Sequence, residues 1–128
     1  MRRNKGFTLI ELIMIIVILG VLAAVAIPRY YDLQSDANTA AEKGVVGGVR
    51  AGIQTYFAQN KAFPATLDGN AGAPTACSAS APCFDTILSQ GGITEGWTKQ
   101  GATTYTGPDT DTGLTYTYTV GDGGFIGN

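Results

Sequence analysis

The apolar positions of the chain fall into three regimes. Across residues 7–27 they are almost continuous, broken only by Thr8, Gly20 and one charge, Glu11. A helix of that length spans about 30 Å, the hydrocarbon thickness of a bilayer. From residue 29 the run gives way to a repeat. Leu33, Ala37, Ala41, Val45, Val49, Ile53 and Phe57 recur every four residues, with Ala40, Val46 and Tyr56 at three-residue offsets. This spacing predicts an amphipathic helix over 29–61, with Asp32, Asp36, Glu42, Lys43 and Arg50 largely off its apolar stripe. Phe63-Pro64 should close that helix near Lys61, and beyond it large apolar residues thin out among Gly, Thr, Ala, Ser and Asp.

The third regime, 62–128, has to supply the cover for the stripe. Residues 64–84 read as an irregular connection, with Gly69-Asn70-Ala71-Gly72, Pro74 and Pro82 as breakers. A short helix is expected over 84–89, before Gly91-Gly92. The clearest strand is 114–120, where Leu114, Tyr116, Tyr118 and Val120 alternate with three threonines. Residues 103–106 are its expected partner across the turn-rich loop 107–113, and 97–99 a third strand. One long helix packed on a small antiparallel sheet is an α+β fold.

Two features interrupt the helical pattern. Pro28 lacks an amide hydrogen and clashes with the preceding turn, so a kink or local loosening is expected there, with Gly20 a second soft point. Gly44, Gly48 and Gly52 share one face and permit close backbone approach, either to the chain's own sheet or to a neighbour.

Charge sharpens the picture. Eight basic residues stand against ten acidic ones, but Arg2, Arg3 and Lys5 crowd the first six positions. Without that basic leader, 1–6, five basic residues remain and the body is acidic, which argues against direct nucleic-acid binding. Cys77 and Cys83 are the only cysteines and there is no histidine, so a structural zinc site lacks ligands. If the body is exported, a disulfide between them is the default; the alternative is two free thiols.

Glu11 carries the most information. A carboxylate within an apolar span is costly and normally marks a partner or a function. It lies one helical turn from Phe7, so a chain cut between Gly6 and Phe7 would bring a new amine within reach. Two plainer readings compete: an ordinary secretory signal with a small-x-small site at Ala24-Val25-Ala26, or a single-pass anchor with Glu11 snorkelling. Neither explains a basic stretch that stops at Gly6 with an aromatic directly after it.

Lys5-Gly6-Phe7-Thr8-Leu9-Ile10-Glu11-Leu12, the apolar run and Pro28 resemble the N-terminal motif of type IV pilins and type II secretion pseudopilins. Further on, Tyr31-Asp32-Leu33-Gln34-Ser35-Asp36-Ala37 is similar to pilins of the mannose-sensitive haemagglutinin type. The resemblance implies that a prepilin peptidase cuts between Gly6 and Phe7, and that the Phe7 amine is then methylated. It implies further that Glu11 docks subunits, and that the helix unwinds locally near Pro28 in a filament. Residues 7–28 would be the membrane and filament-core helix. The implied partners are identical subunits, the peptidase, an inner-membrane assembly platform, and the membrane before assembly.

No catalytic constellation is visible: no histidine for a triad, and no glycine loop with its lysine for phosphate. No cofactor is expected. Asp109 and Asp111, with Asp122 as a third candidate, loosely resemble a calcium loop, but the closing Glu is missing and turn formation is the simpler role. The expected function is thus a non-enzymatic pilin of a surface filament for attachment, motility or DNA uptake. A periplasmic pseudopilin is one alternative, and a secreted or anchored domain with an ordinary signal peptide is the other. Against the pseudopilin, Trp97 stands as Gly96-Trp97-Thr98 and not in a Pro-Trp-Gly loop.

Overall fold

The computed structural model describes residues 5–128; Arg2 and Arg3 of the basic leader lie outside the described residues. The chain divides into two compact units, one ending at Asp36 and the other comprising Ala37–Asn128. One helix, α1 (Leu9–Asn60), supplies the helical residues of both.

In the first unit the helix opens on a reciprocal cap. The amide of Thr8 donates to Glu11 Oε2 at 2.9 Å, and the amide of Glu11 donates to Thr8 Oγ1 at 3.4 Å. This is the capping box, Thr-x-x-Glu, which satisfies amides that have no partner within the helix. From Leu9 on, the apolar side chains of the run stay uncovered, and among the large ones the least exposed, Ile13, is still at 42%. Pro28 lies inside α1, with helical residues on both sides.

In the second unit, residues 37–60 of α1 pack against five short antiparallel strands in sequential order. They are β1 (Thr75–Ala76), β2 (Thr98–Lys99), β3 (Thr104–Thr106), β4 (Thr115–Thr119) and β5 (Gly124–Gly127). The expected strand pair is β3–β4, with Tyr105 opposite Tyr116, and 97–99 contributes β2. Along β4 the alternation places Tyr116 and Tyr118 in the core and leaves the flanking Leu114 half-buried; Val120 remains exposed.

The helical stripe sits differently from its expected position. The buried residues of the helix are Glu42, Val46, Val49 and Ile53, whereas Ala37 and Ala41 are exposed and Phe57 is only partly covered. A strict four-residue repeat drifts by about 40° per step around a helix of 3.6 residues per turn, so the packed face follows alternating four- and three-residue steps. Phe57 stacks instead on Phe63, with ring centroids 4.5 Å apart.

Phe84 is wholly buried at the centre of the core, and its ring meets those of Tyr105, Trp97 and Phe125 at 4.5–5.7 Å. The expected helix over 84–89 is a single turn, closed by the amides of Ile87 and Leu88 on the Phe84 carbonyl. Phe84 enters it with φ of 63°, and Gly91 and Gly92 leave it in the left-handed region, so helical geometry does not propagate. Of the helix glycines, Gly52 makes the close approach: a Cβ there would lie 2.7 Å from the carbonyl oxygen of Ile87. Gly44 and Gly47 face open space.

Candidate functional site

The residues singled out from the sequence occupy separate places. Gly6, Phe7, Glu11 and Pro28 belong to the first unit, and Cys77 and Cys83 to the second. At the N-terminal end Gly6 and Phe7 precede α1 and are exposed, Phe7 at 85%. Glu11, on the first turn of α1, has its carboxylate directed back toward the chain entering the helix, through its bond to the Thr8 amide. That geometry holds a carboxylate one turn from Phe7 at the start of the apolar run.

Cys77 and Cys83 form a disulfide. Inside its loop Ser78 and Ala81 exchange backbone hydrogen bonds, which makes the loop a tight turn. The loop is tied to the core on both sides: the Cys77 amide donates to the Trp97 carbonyl, and Cys83 exchanges two bonds with Ile93.

The acidic loop residues serve turns. Asp109 accepts the amides of Asp111 and Thr112 and the hydroxyls of Thr39 and Thr112. Those bonds, with the Thr39 hydroxyl foremost, hold its carboxyl below the usual aspartate range. Asp122 accepts the amide of Gly124. Among the described residues no group of three or more His, Cys, Asp or Glu is placed to hold a metal ion.

Two buried polar groups escaped the sequence reading. Glu42, 3% exposed, accepts the Tyr116 hydroxyl at 2.7 Å and the Asp109 amide at 2.9 Å, so it fastens the β3–β4 loop to α1. Burial foremost, with the bond to Glu42 second, pushes the Tyr116 phenol up to about 12. The second group joins Lys99 to Asp68 at 2.5 Å, and Tyr105 donates to the other oxygen of Asp68. Lys99 also donates to the Asn70 carbonyl. Desolvation, aided by Asp68, raises the Tyr105 phenol far above its ordinary value. Glu42 was detectable: it lies four residues before Val46, on the face that the four-three spacing selects. Asp68 carried no such signal, because it sits in a connection without periodicity.

The model of the prokaryotic N-terminal methylation motif matches residues 1–27. The chain is 45% identical over 62 residues to the type IV narrow pilus major component PilA5 of Thermus thermophilus, covering 48% of this chain and 53% of that protein. It is 37% identical over 68 residues to the type II secretion system core protein G of Pseudomonas aeruginosa, covering 53% and 48%. To the type IV major pilin protein PilE1 of Neisseria gonorrhoeae it is 38% identical over 61 residues, covering 48% and 37%. The chain spans about half or less of the length of these curated relatives. No solved structure matches it.

Proposed function

We propose that this chain, a member of the type IV pilin and pseudopilin superfamily, is a structural subunit of a type IV pilus-like extracellular filament serving attachment, motility or DNA uptake. The observation that carries this reading is the pairing of the N-terminal methylation motif with an apolar run, residues 9–27 of α1, whose side chains are all exposed. Such a surface needs a bilayer first and neighbouring helices afterwards.

In this reading a prepilin peptidase cuts between Gly6 and Phe7, and the new Phe7 amine is methylated. The amine and the carboxylate of Glu11 then neutralise each other between neighbours, which fixes one axial register among otherwise similar apolar offsets. The helix loosens near Pro28 as it leaves the membrane for the filament. The precursor resides in the inner membrane and is handed to an assembly platform there. The disulfide and the buried polar groups keep the body rigid, and no enzymatic step is assigned to the chain.

A second reading has one observation in its favour, the identity to a type II secretion core protein. There the same subunit would build a periplasmic piston. Mass spectrometry of sheared surface filaments separates the two. The expected result is this chain as a filament component, beginning at a methylated Phe7. A mature N-terminus at Ile27, after Ala26, sinks both readings and restores an ordinary secretory signal.

A further inference from the structure

The exposed apolar surface of α1 does not stop where a bilayer core would end. Counted from Leu9, the rise of a helix puts Tyr30 and Tyr31 about 32–33 Å along the axis, just past a hydrocarbon core of about 30 Å. Both rings are uncovered, 73% and 72% exposed, and share a shallow groove with Ile27, Leu33 and Gln34. Ile27 precedes them by three and four residues, so the aromatic surface continues the apolar surface of the run. Arg29, also exposed, adds a cation at the same depth.

We infer that Tyr30 and Tyr31, with Arg29, form an interfacial anchor that sets the depth of the precursor in the membrane by seating in the outer headgroup layer. A tyrosine ring has an apolar body and a polar tip, which suits a boundary between hydrocarbon and water, and a guanidinium suits the lipid phosphates. The opposite end of the span carries the basic flank, which favours the cytoplasmic side, so each end of the helix has its own boundary signal. Assembly then has to withdraw the two rings from the headgroups. This inference rests on the membrane-held precursor of the proposed function.

The test uses the full-length precursor in phosphatidylcholine–phosphatidylglycerol vesicles that carry bromine either near the headgroup end of the chains or near the bilayer centre. Tyr30→Trp and Tyr31→Trp report depth, Leu22→Trp reports the span, and the wild type supplies the background of buried Trp97. The expected result is strongest quenching of Trp at 30 and 31 by the shallow bromines and of Trp at 22 by the deeper ones. In Tyr30→Ser/Tyr31→Ser, the quenching profile of Leu22→Trp should shift between the two bromine depths. Water-exposed emission at 30 and 31 beside an embedded Leu22→Trp overturns the inference, assigns the rings to helix neighbours in the filament, and leaves the proposed function standing. An unchanged Leu22→Trp profile in the double serine variant also overturns it. Water-exposed emission at all three positions removes the membrane span, and the proposed function with it.

Discussion

The carboxylate of Glu11 accepts the Thr8 amide, and a cut before Phe7 would place an amine beside the same turn. One side chain thus has a local role in the precursor and a proposed role between subunits, and glutamine can perform only the first. Glu42 works differently, because both of its hydrogen bonds are buried. Glu42→Leu leaves the Tyr116 hydroxyl and the Asp109 amide without an acceptor, at about 1–3 kcal/mol each. Thermal unfolding of the detergent-held protein should show a lower midpoint for Glu42→Leu than for the exposed control Lys43→Leu; equal midpoints would mean that the latch carries no stability. Tyr116 adds a pH dependence with a definite sign. Its phenol sits at about 12 in the fold, above its ordinary value of 10.0. The native state therefore keeps a proton that the unfolded chain releases. That stabilisation is intact below pH 10 and is lost as the pH rises through about 12. Circular dichroism against pH should show stability falling across this alkaline window; a flat profile would contradict the placement of the phenol.

At the scale of elements, legibility tracked periodicity. Strand β4 was readable because four apolar residues alternate with three threonines, and β2 and β3 followed from aromatic-threonine pairs beside a turn-rich loop. Strands β1 and β5 gave no such pattern: β1 is two residues long, and β5 is Phe125-Ile126 between two glycines, with Ile126 exposed. The existence of the helix was plain, but its packed face was displaced by the drift of a four-residue repeat, and Glu42 was lost from view with it. The shared glycine face was also legible, yet only contacts could show that Gly52 meets the 84–88 turn while Gly44 does not, and that Gly47, off that face, meets open space. This contrast is testable. Gly52→Ala pushes a methyl to within 2.7 Å of a backbone oxygen and should destabilise by about 1–3 kcal/mol. Gly47→Ala, in open space, should stabilise by up to about 1 kcal/mol. Denaturant midpoints that move the same way for both would show that the close approach is not a constraint.

The whole molecule joins a unit whose apolar side chains are uncovered to one with its own aromatic core, its own disulfide and its own buried ion pair. The second unit folds around Phe84 and its ring neighbours. The motif of the first unit was legible because it is long and places a single charge in an apolar run. The capping box within it was not anticipated, although Thr8 and Glu11 have the required spacing. The cap also separates two explanations for any defect at Glu11, because glutamine preserves the cap and removes the charge. The most direct measurement is the yield of sheared filament relative to membrane-held subunit for wild type, Glu11→Gln and Glu11→Ala, with cleavage before Phe7 verified in each. The account predicts that both variants insert and are cleaved normally and that both lose most of their filaments. Normal filament yield from Glu11→Gln would contradict it, because assembly would then need the cap and not the charge.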